Sequence, residues 1–516
     1  MNDVLYGLAA NPALPAEVAD RLIDGADADL ADRLAQRPDL SRAQTAALAS
    51  RWEDAAVRLA RRSLLTTADP DPMTRPRLTL ALLERDTAGY AEGPRPPDDA
   101  DRPERPRLPG DADRRSWARL LAGSPSVEHR ERLAACPGLP PDVVRRLATD
   151  PATAVVAELA VWTCSPELLA GLAAHPHTDV RRSVAANEAT PPATLAALLA
   201  GGPQPPARSC PFCDGTEVFL PDTECDGRHR TAERHIHEQA LRNPATPADV
   251  AARFAGNPCA LLRRHLASRP DLPRPAYELL ARDPDPRVRA NLADNPGIDA
   301  RLIRSLAADA DPEVLGRLAR HPCLPLDLLP RLAGLRGLGR SPLPCLDSAT
   351  RPEITALAAS AHPGVRMLVA RRRDLPDDVR DALARDPDAK VVNAVAPHPG
   401  LGEGQLTAMV ERHGVRVVVK VAENPGASPA LLLSLAAHRP PAPKVLRVIA
   451  RHPHATAPVL LACLTDLDGR RVAAARAALP VNALVELLAD DDASVREAAA
   501  ANPVLPVAVM RQLVAV

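Results

Sequence analysis

The sequence predicts an all-α fold, an α-solenoid of short paired helices forming an α/α superhelix of the HEAT-like kind, with a small cysteine-rich insert. Three observations predict it. The stretch from Asp283 to Pro325 carries one pattern twice: an Asp-Pro turn, a short apolar helix, then a turn at Asn295-Pro296 or His321-Pro322, 26 residues apart. Apolar residues make up 46% of the chain but aromatics only 2%, so the core must be Leu, Val and Ala, which favour close helix packing. The 57 prolines fall between apolar patches, where proline opens and closes short helices. A repeat array also escapes the usual count of globular domains for 516 residues, because each unit packs on its neighbours.

The repeats begin at once, in residues 1–65. Asn11-Pro12 and Leu14-Pro15 open a helix through Val18, Leu22 and Ile23, and Arg37-Pro38 restarts the pattern. Trp52 reads as a packing or end-cap aromatic. Residues 66–113 are irregular. Pro72 to Thr79 read as turns or an extended link, and Leu80 to Leu83 as a short helix. The Pro/Asp/Arg-rich run from Gly93 to Asp113 has almost no apolar residues and reads as a flexible loop.

Repeats resume in residues 114–200, near Trp117 and again at Cys136-Pro137 and Asp150-Pro151. His175 and His177 stand where other repeats have Asn or Asp, and read as turn residues. Residues 201–240 form the Cys/His-rich insert and a return helix. Residues 241–516 are repeats again, marked by Asn243-Pro244, Asn257-Pro258, Asn295-Pro296, His398-Pro399, Asn424-Pro425 and Asn502-Pro503. The helix from Val507 to Leu513 is expected to cap the array.

One unit shows the physics. In the run from Ala422 to Pro440, Asn424 can brace a turn, Ser428 can cap a helix, and Pro429 suits its first position. Leu431 to Leu435 supply the apolar face. Such a helix is too short to stand alone, so stacked neighbours must bury a continuous Leu/Val/Ala spine.

The pairs Asn257-Pro258, Val288-Arg289, Asn295-Pro296, Val415-Arg416 and Asn424-Pro425, with Leu302, Leu306, Leu431 and Leu435, resemble the leucine-rich repeat variant family of bacterial helical solenoids. The resemblance spans nearly all of the chain outside about 65–113 and 201–230. It implies a right-handed superhelix alternating α and 3-10 helices, and no shared catalytic residues. Units here are often longer than that family's repeat.

Cys210, Cys213, Cys225 and His229 are spaced C-x2-C-x11-C-x3-H. Three thiolates and one imidazole suit tetrahedral zinc, and Gly215 and Gly227 ease the turns after each pair. A structural zinc would let a small polar insert order without a core. His235 and His237 are alternates for the fourth ligand. An iron–sulfur cluster, and reduced cysteines without metal, are the alternative readings. The other six cysteines sit in helical or turn contexts and read as packing residues.

Arg181, Arg289, Arg366, Arg416 and Arg496 each follow a Val. They could align as a basic ladder for phosphate, a nucleic-acid surface. The competing reading is that each Arg pairs with a nearby Asp and covers its helix with its stem. With 64 basic and 65 acidic residues, net charge −1, the balance favours the second. No nucleotide-binding glycine loop, HExxH motif or serine nucleophile elbow is present, and Asp491-Asp492 reads as a helix cap. The expected function is a non-enzymatic, protein-binding scaffold with a structural zinc. The alternatives are a nucleic-acid-binding solenoid or a metal-linked redox protein. No apolar run is long enough to span a bilayer, the first residues lack a secretory pattern, and nine scattered cysteines do not form a disulfide framework. A cytoplasmic location without membrane partners is therefore expected.

Overall fold

A computed structural model describes residues 2–62, 64–65, 74–84, 111–200, 230–335, 338, 343–442 and 444–515, with backbone alone for 111–112 and 230–233. The described residues are helices and turns without strands, arranged as a regular succession of paired helices, a HEAT-like α-solenoid fold. Most helices have seven to ten residues, as in Pro286–Ala293, Ala300–Leu306, Pro429–Ala436 and Arg42–Arg51. Their starts are set locally. Pro286, Pro312 and Pro363 open helices, where a missing N–H costs nothing. Asp285, Asp311 and Ser428 accept a hydrogen bond from an N–H of the first turn, and Ser41 and Gln44 cap each other's backbone reciprocally.

Each repeat contributes a first helix, a turn, and a second helix. Like helices stack on like. Val127–Ala134, Thr153–Trp162, Thr178–Ala186, Arg230–Arg242, Ala260–Ala267 and Pro286–Ala293 pack one on the next, burying Val155, Leu159, Val180, Val184, Leu266 and Val288. The helix Arg230–Arg242 lies directly on Thr178–Ala186, so the stack runs on past the insert. Both rows are mainly α-helical, with 3-10 turns in the second row at two repeats. The alternation of α and 3-10 helices implied by the resemblance is not what forms here: the described 3-10 segments are Arg253–Gly256 and Leu326–Leu328. Most second helices follow or begin with a proline and reach about two turns, enough for regular i→i−4 bonding, while Ala248–Ala252 and Leu329–Leu332 are shorter and adjoin the 3-10 segments.

The chain divides into two compact units, Met1–Asp39 with Ile303–Val516, and Leu40–Leu302. In the first, the two chain ends are stacked. Helix Asn2–Ala10 packs on Ala493–Ala500, and Ala16–Asp24 on Val507–Val514. The final helix has the first repeat packed along one side. Gly7 allows this approach: a Cβ there would lie 2.7 Å from that of Ala500 and against the carbonyl of Glu497. Arg496 pairs with Asp3 at 2.7 Å, and Arg511 with Glu17 at 2.6 Å.

Two local expectations change. The stretch read as a link up to Thr79 is helical from Pro76, because Pro76 opens the helix Pro76–Leu83 and Leu78 and Leu80 are buried. Most of the Pro/Asp/Arg-rich run lies outside the described residues; its end, from Asp111, begins the helix Asp111–Leu121.

Candidate functional site

The polar side chains at the turns are used inward, in two ladders. In the first, Asn295 donates to the carbonyls of Ala267 and Arg269, at 2.7 and 2.6 Å, and its Oδ1 accepts from Gly297 N–H at 2.8 Å. Arg269 donates to Leu241 and Asn243, and Asn243 to Ala185 and Asn187. In the other unit Asn424 bonds Ala396 and His398, Asn502 bonds Ala474 and Arg476, and Asn11 bonds Ala500 and Asn502. Each rung reaches back to the preceding rung, usually 26 residues earlier; across the insert the separation is 56. Gly297 sits where a Cβ would strike the Tyr277 hydroxyl, 2.6 Å away, so the turn beside the rung must be glycine.

Histidine fills the same place with one acceptor and one donor, where the asparagine amide donates to two carbonyls. The Nδ1 atoms of His321, His398 and His452 accept N–H bonds from Cys323, Gly400 and His454, each at 3.1 Å. That leaves the proton on Nε2, and His452 Nε2 donates it to the Asn424 carbonyl at 2.8 Å. His175 and His177 likewise accept backbone N–H bonds, as turn residues do. Burial is the main influence lowering the pKa of His398, His452 and His175 below the usual imidazole range.

The second ladder uses the arginines of the first helices. Arg181 bonds the carbonyls of His175 and Pro176 at 2.6 and 2.9 Å and is only 2% exposed. Arg289 bonds those of Asp283 and Pro284, Arg366 those of Ser360 and Ala361, and Arg496 those of Asp490 and Asp491. Where the next repeat offers an Asp, the guanidinium grips it too. Arg366 holds Asp386 through two bonds of 2.7 and 3.1 Å, as Arg130 holds Asp150 and Arg263 holds Asp283. Burial, the largest influence on Asp386, acts to raise its pKa, but the Arg366 and backbone hydrogen bonds outweigh it and leave the carboxyl below its ordinary range.

Arg416 does not share this place. Arg289 stands six residues before its rung Asn295, and Arg496 six before Asn502, whereas Arg416 stands eight before Asn424. The shift turns it out to solvent, and the in-register position is the buried Val418. The five arginines therefore do not form one set: four are turn struts in different repeats, and the fifth is exposed.

Cys210, Cys213, Cys225 and His229 lie outside the described residues. His235 and His237 lie on the helix Arg230–Arg242, with His237 edge-on to Phe254 at 5.3 Å. Among the described residues no group of three or more His, Cys, Asp or Glu could hold a metal ion. Asp492 caps its helix by accepting from Ser494 and Val495 N–H. Burial pushes the Cys136 thiol up to about 12, and those of Cys345 and Cys463 to about 11. A cleft of about 850 Å³ beside Tyr6 and Arg33 is walled partly by Arg37, whose guanidinium already bonds Ala9, Asn11 and Asp39. No described helix is long and apolar enough to cross a membrane.

What faces outward includes large apolar groups. Trp162, at the end of Thr153–Trp162, is 58% exposed beside exposed Val161, and its indole N–H bonds Glu158 at 2.7 Å. The sequence does not mark it as exposed, because that helix is apolar on nearly every side and its periodicity shows no outward face.

No protein-family model and no curated protein matches the chain. Among solved structures, an engineered protein is 16% identical, with 97% of this chain and 98% of that one covered and a TM-score of 0.17. A Pds5–Scc1 complex structure related to cohesin function gives 12% identity, 88% and 67% coverage, and 0.17. A SYS-1/POP-1 complex gives 13% identity, 95% and 99% coverage, and 0.19. Scores this low carry no argument about function.

Proposed function

We propose that the chain is a non-enzymatic protein-binding scaffold, a cytoplasmic solenoid of the leucine-rich repeat variant type, whose insert is ordered by zinc on Cys210, Cys213, Cys225 and His229. The observation that carries the scaffold reading is Trp162: an exposed indole with an exposed valine beside it, held on a helix fixed by both neighbours. Tryptophan is enriched among the residues that dominate binding energy. The arginines that could have read phosphate are engaged by carbonyls and carboxylates of their own array, which favours protein over nucleic acid as the partner. The zinc reading rests on ligand type and spacing.

Affinity capture with nuclease treatment tests the scaffold. A specific protein retained after nuclease, and lost with Trp162→Ala, is expected. Steeply salt-dependent binding to DNA or RNA instead, weakened by charge removal at Arg416, would overturn it. Metal analysis of protein purified without added metal should find one zinc per chain, released in Cys213→Ser. An iron–sulfur absorption band or absence of zinc would overturn that part.

A further inference from the structure

In the unit Met1–Asp39 with Ile303–Val516, the exposed large apolar side chains among the described residues all lie between Val415 and Val507. Val415 and Leu467 begin first helices and Val504 lies in a turn, while the other five share the second helices. Leu433, Leu461 and Val485, 42%, 43% and 38% exposed, occupy the same register after the rungs Asn424, His452 and Arg476. Val481 and Val507 lie one turn earlier on their helices, five residues after Arg476 and Asn502, and on the last helix the register of Leu433 is held by exposed Arg511, paired with Glu17. All five stand on the second helices Pro429–Ala436, Ala457–Cys463, Val481–Leu487 and Val507–Val514.

The helices that flank this row are charged on their exposed sides. Helix Glu403–His413 exposes Glu403, Glu411 and Arg412, and helix Ala16–Asp24 exposes Glu17, Asp20, Arg21 and Asp24. The result is an aliphatic strip with a net acidic rim at each end. An apolar patch with a polar border marks an interaction site.

The dimensions choose the occupant. The first helices Val415–Ala422, Val445–Arg451, Leu467–Ala474 and Ala493–Ala500 stack one on the next and carry these second helices, and packed helices are about 9 Å apart, so four repeats give a strip roughly 35 Å long. Helices of seven or eight residues make it roughly 11 Å wide. That is roughly 400 Å² and about half of what each partner of a standard interface buries. It is narrow for a second copy of the chain, but it matches a single helix of about 24 residues. Seven residues of such a helix rise about 10 Å, so apolar residues at heptad spacing would meet one scaffold helix each.

We propose that this strip binds an amphipathic helix of a protein partner, lying along the stack, with a heptad-spaced aliphatic face and basic residues at both ends. The proposal rests on the scaffold reading and adds to Trp162 a second contact for the protein partner, in the unit that does not hold Trp162.

The test uses the full chain and a synthetic peptide of about 24 residues, with leucines on one helical face, lysines at both ends and uncharged residues elsewhere. A scrambled peptide of the same composition is the control. Fluorescence anisotropy should show the amphipathic peptide binding and the scrambled one roughly tenfold weaker or worse. Leu461→Glu and Val485→Glu should each weaken binding by roughly tenfold or more. Both residues are exposed, so the melting curve should not move, and Leu120→Glu in the other unit should leave binding unchanged. Equal binding of the two peptides, no binding, or binding indifferent to Leu461→Glu overturns the proposal. So does a wild-type dimer in light scattering that Leu461→Glu makes monomeric, or sedimentation with phosphatidylcholine vesicles that Leu461→Glu abolishes. A captured protein partner that survives Leu461→Glu, with no peptide binding, leaves the scaffold reading standing and removes this surface from it.

Discussion

Asn424 shows how one side chain holds two repeats. It is fully buried, donates to two carbonyls of the preceding repeat, and accepts the Gly426 N–H. Asn424→Ala strands those groups away from water and should cost about 2–4 kcal/mol in chemical denaturation. Asn424→His should recover part of that loss, because His452 fills a rung with one donated and one accepted bond, one carbonyl fewer than Asn424 serves. If the two variants are equally destabilised, the equivalence of the rungs is wrong. The histidine rungs also set a pH response. Burial leads the causes that hold His175, His398 and His452 below 6.5, so the unfolded chain takes up protons that the folded chain resists. Stability should be complete above about pH 6.5 and decline as pH falls below it, through the folded values. Asp386 adds a second loss at lower pH. Its carboxyl lies below 3.8, so its contribution is present above that value and disappears as pH falls through the folded value. Melting temperatures between pH 8 and pH 3, about the span of both groups, would check the two limbs.

At the scale of the element, the first helix is joined to the next repeat by an arginine clamp. Arg366 and Asp386 are 16% and 6% exposed in their side chains, so this is a sheltered pair. Asp386→Ala should cost about 3 kcal/mol, the low end for breaking a buried pair, since Arg366 keeps its bonds to Ser360 and Ala361. Asp378→Ala, which breaks the exposed pair with Arg351, should leave the melt where it is. The Val-Arg dipeptide was legible as a repeat mark and ambiguous in purpose, since an arginine at regular spacing looks the same whether it faces phosphate or folds back on a carbonyl. Backbone geometry decides it: the guanidinium reaches the turn five and six residues before it. Arg416 shows the limit of the dipeptide, because two residues of register move it from clamp to solvent.

For the whole molecule the chain ends matter most. An array usually needs a polar terminal repeat to cover its last apolar face. Here helix Asn2–Ala10 covers Ala493–Ala500, with Asn11 as the rung between them. Gly7→Val should prise this joint open, because the glycine lies against Glu497 and Ala500. Hydrogen exchange should then speed up in residues 2–39 and 493–515 before the interior repeats change. Uniform loss of protection would mean that the joint is not a separate step.

Short helices, their caps, the roughly 26-residue spacing and the Leu/Val/Ala core were readable in the residues, because each depends on contacts within a repeat or on the apolar pattern itself. The exchange of His for Asn at turns was readable for the same reason, since both complete a local N–H bond. The stacking of the first repeat on the last was not, because a rung at Asn11 looks the same whatever carbonyls it meets nearly five hundred positions away. Nor was the aliphatic strip, since Leu433 is written like the core leucines beside it. Only packing decides which leucine is covered.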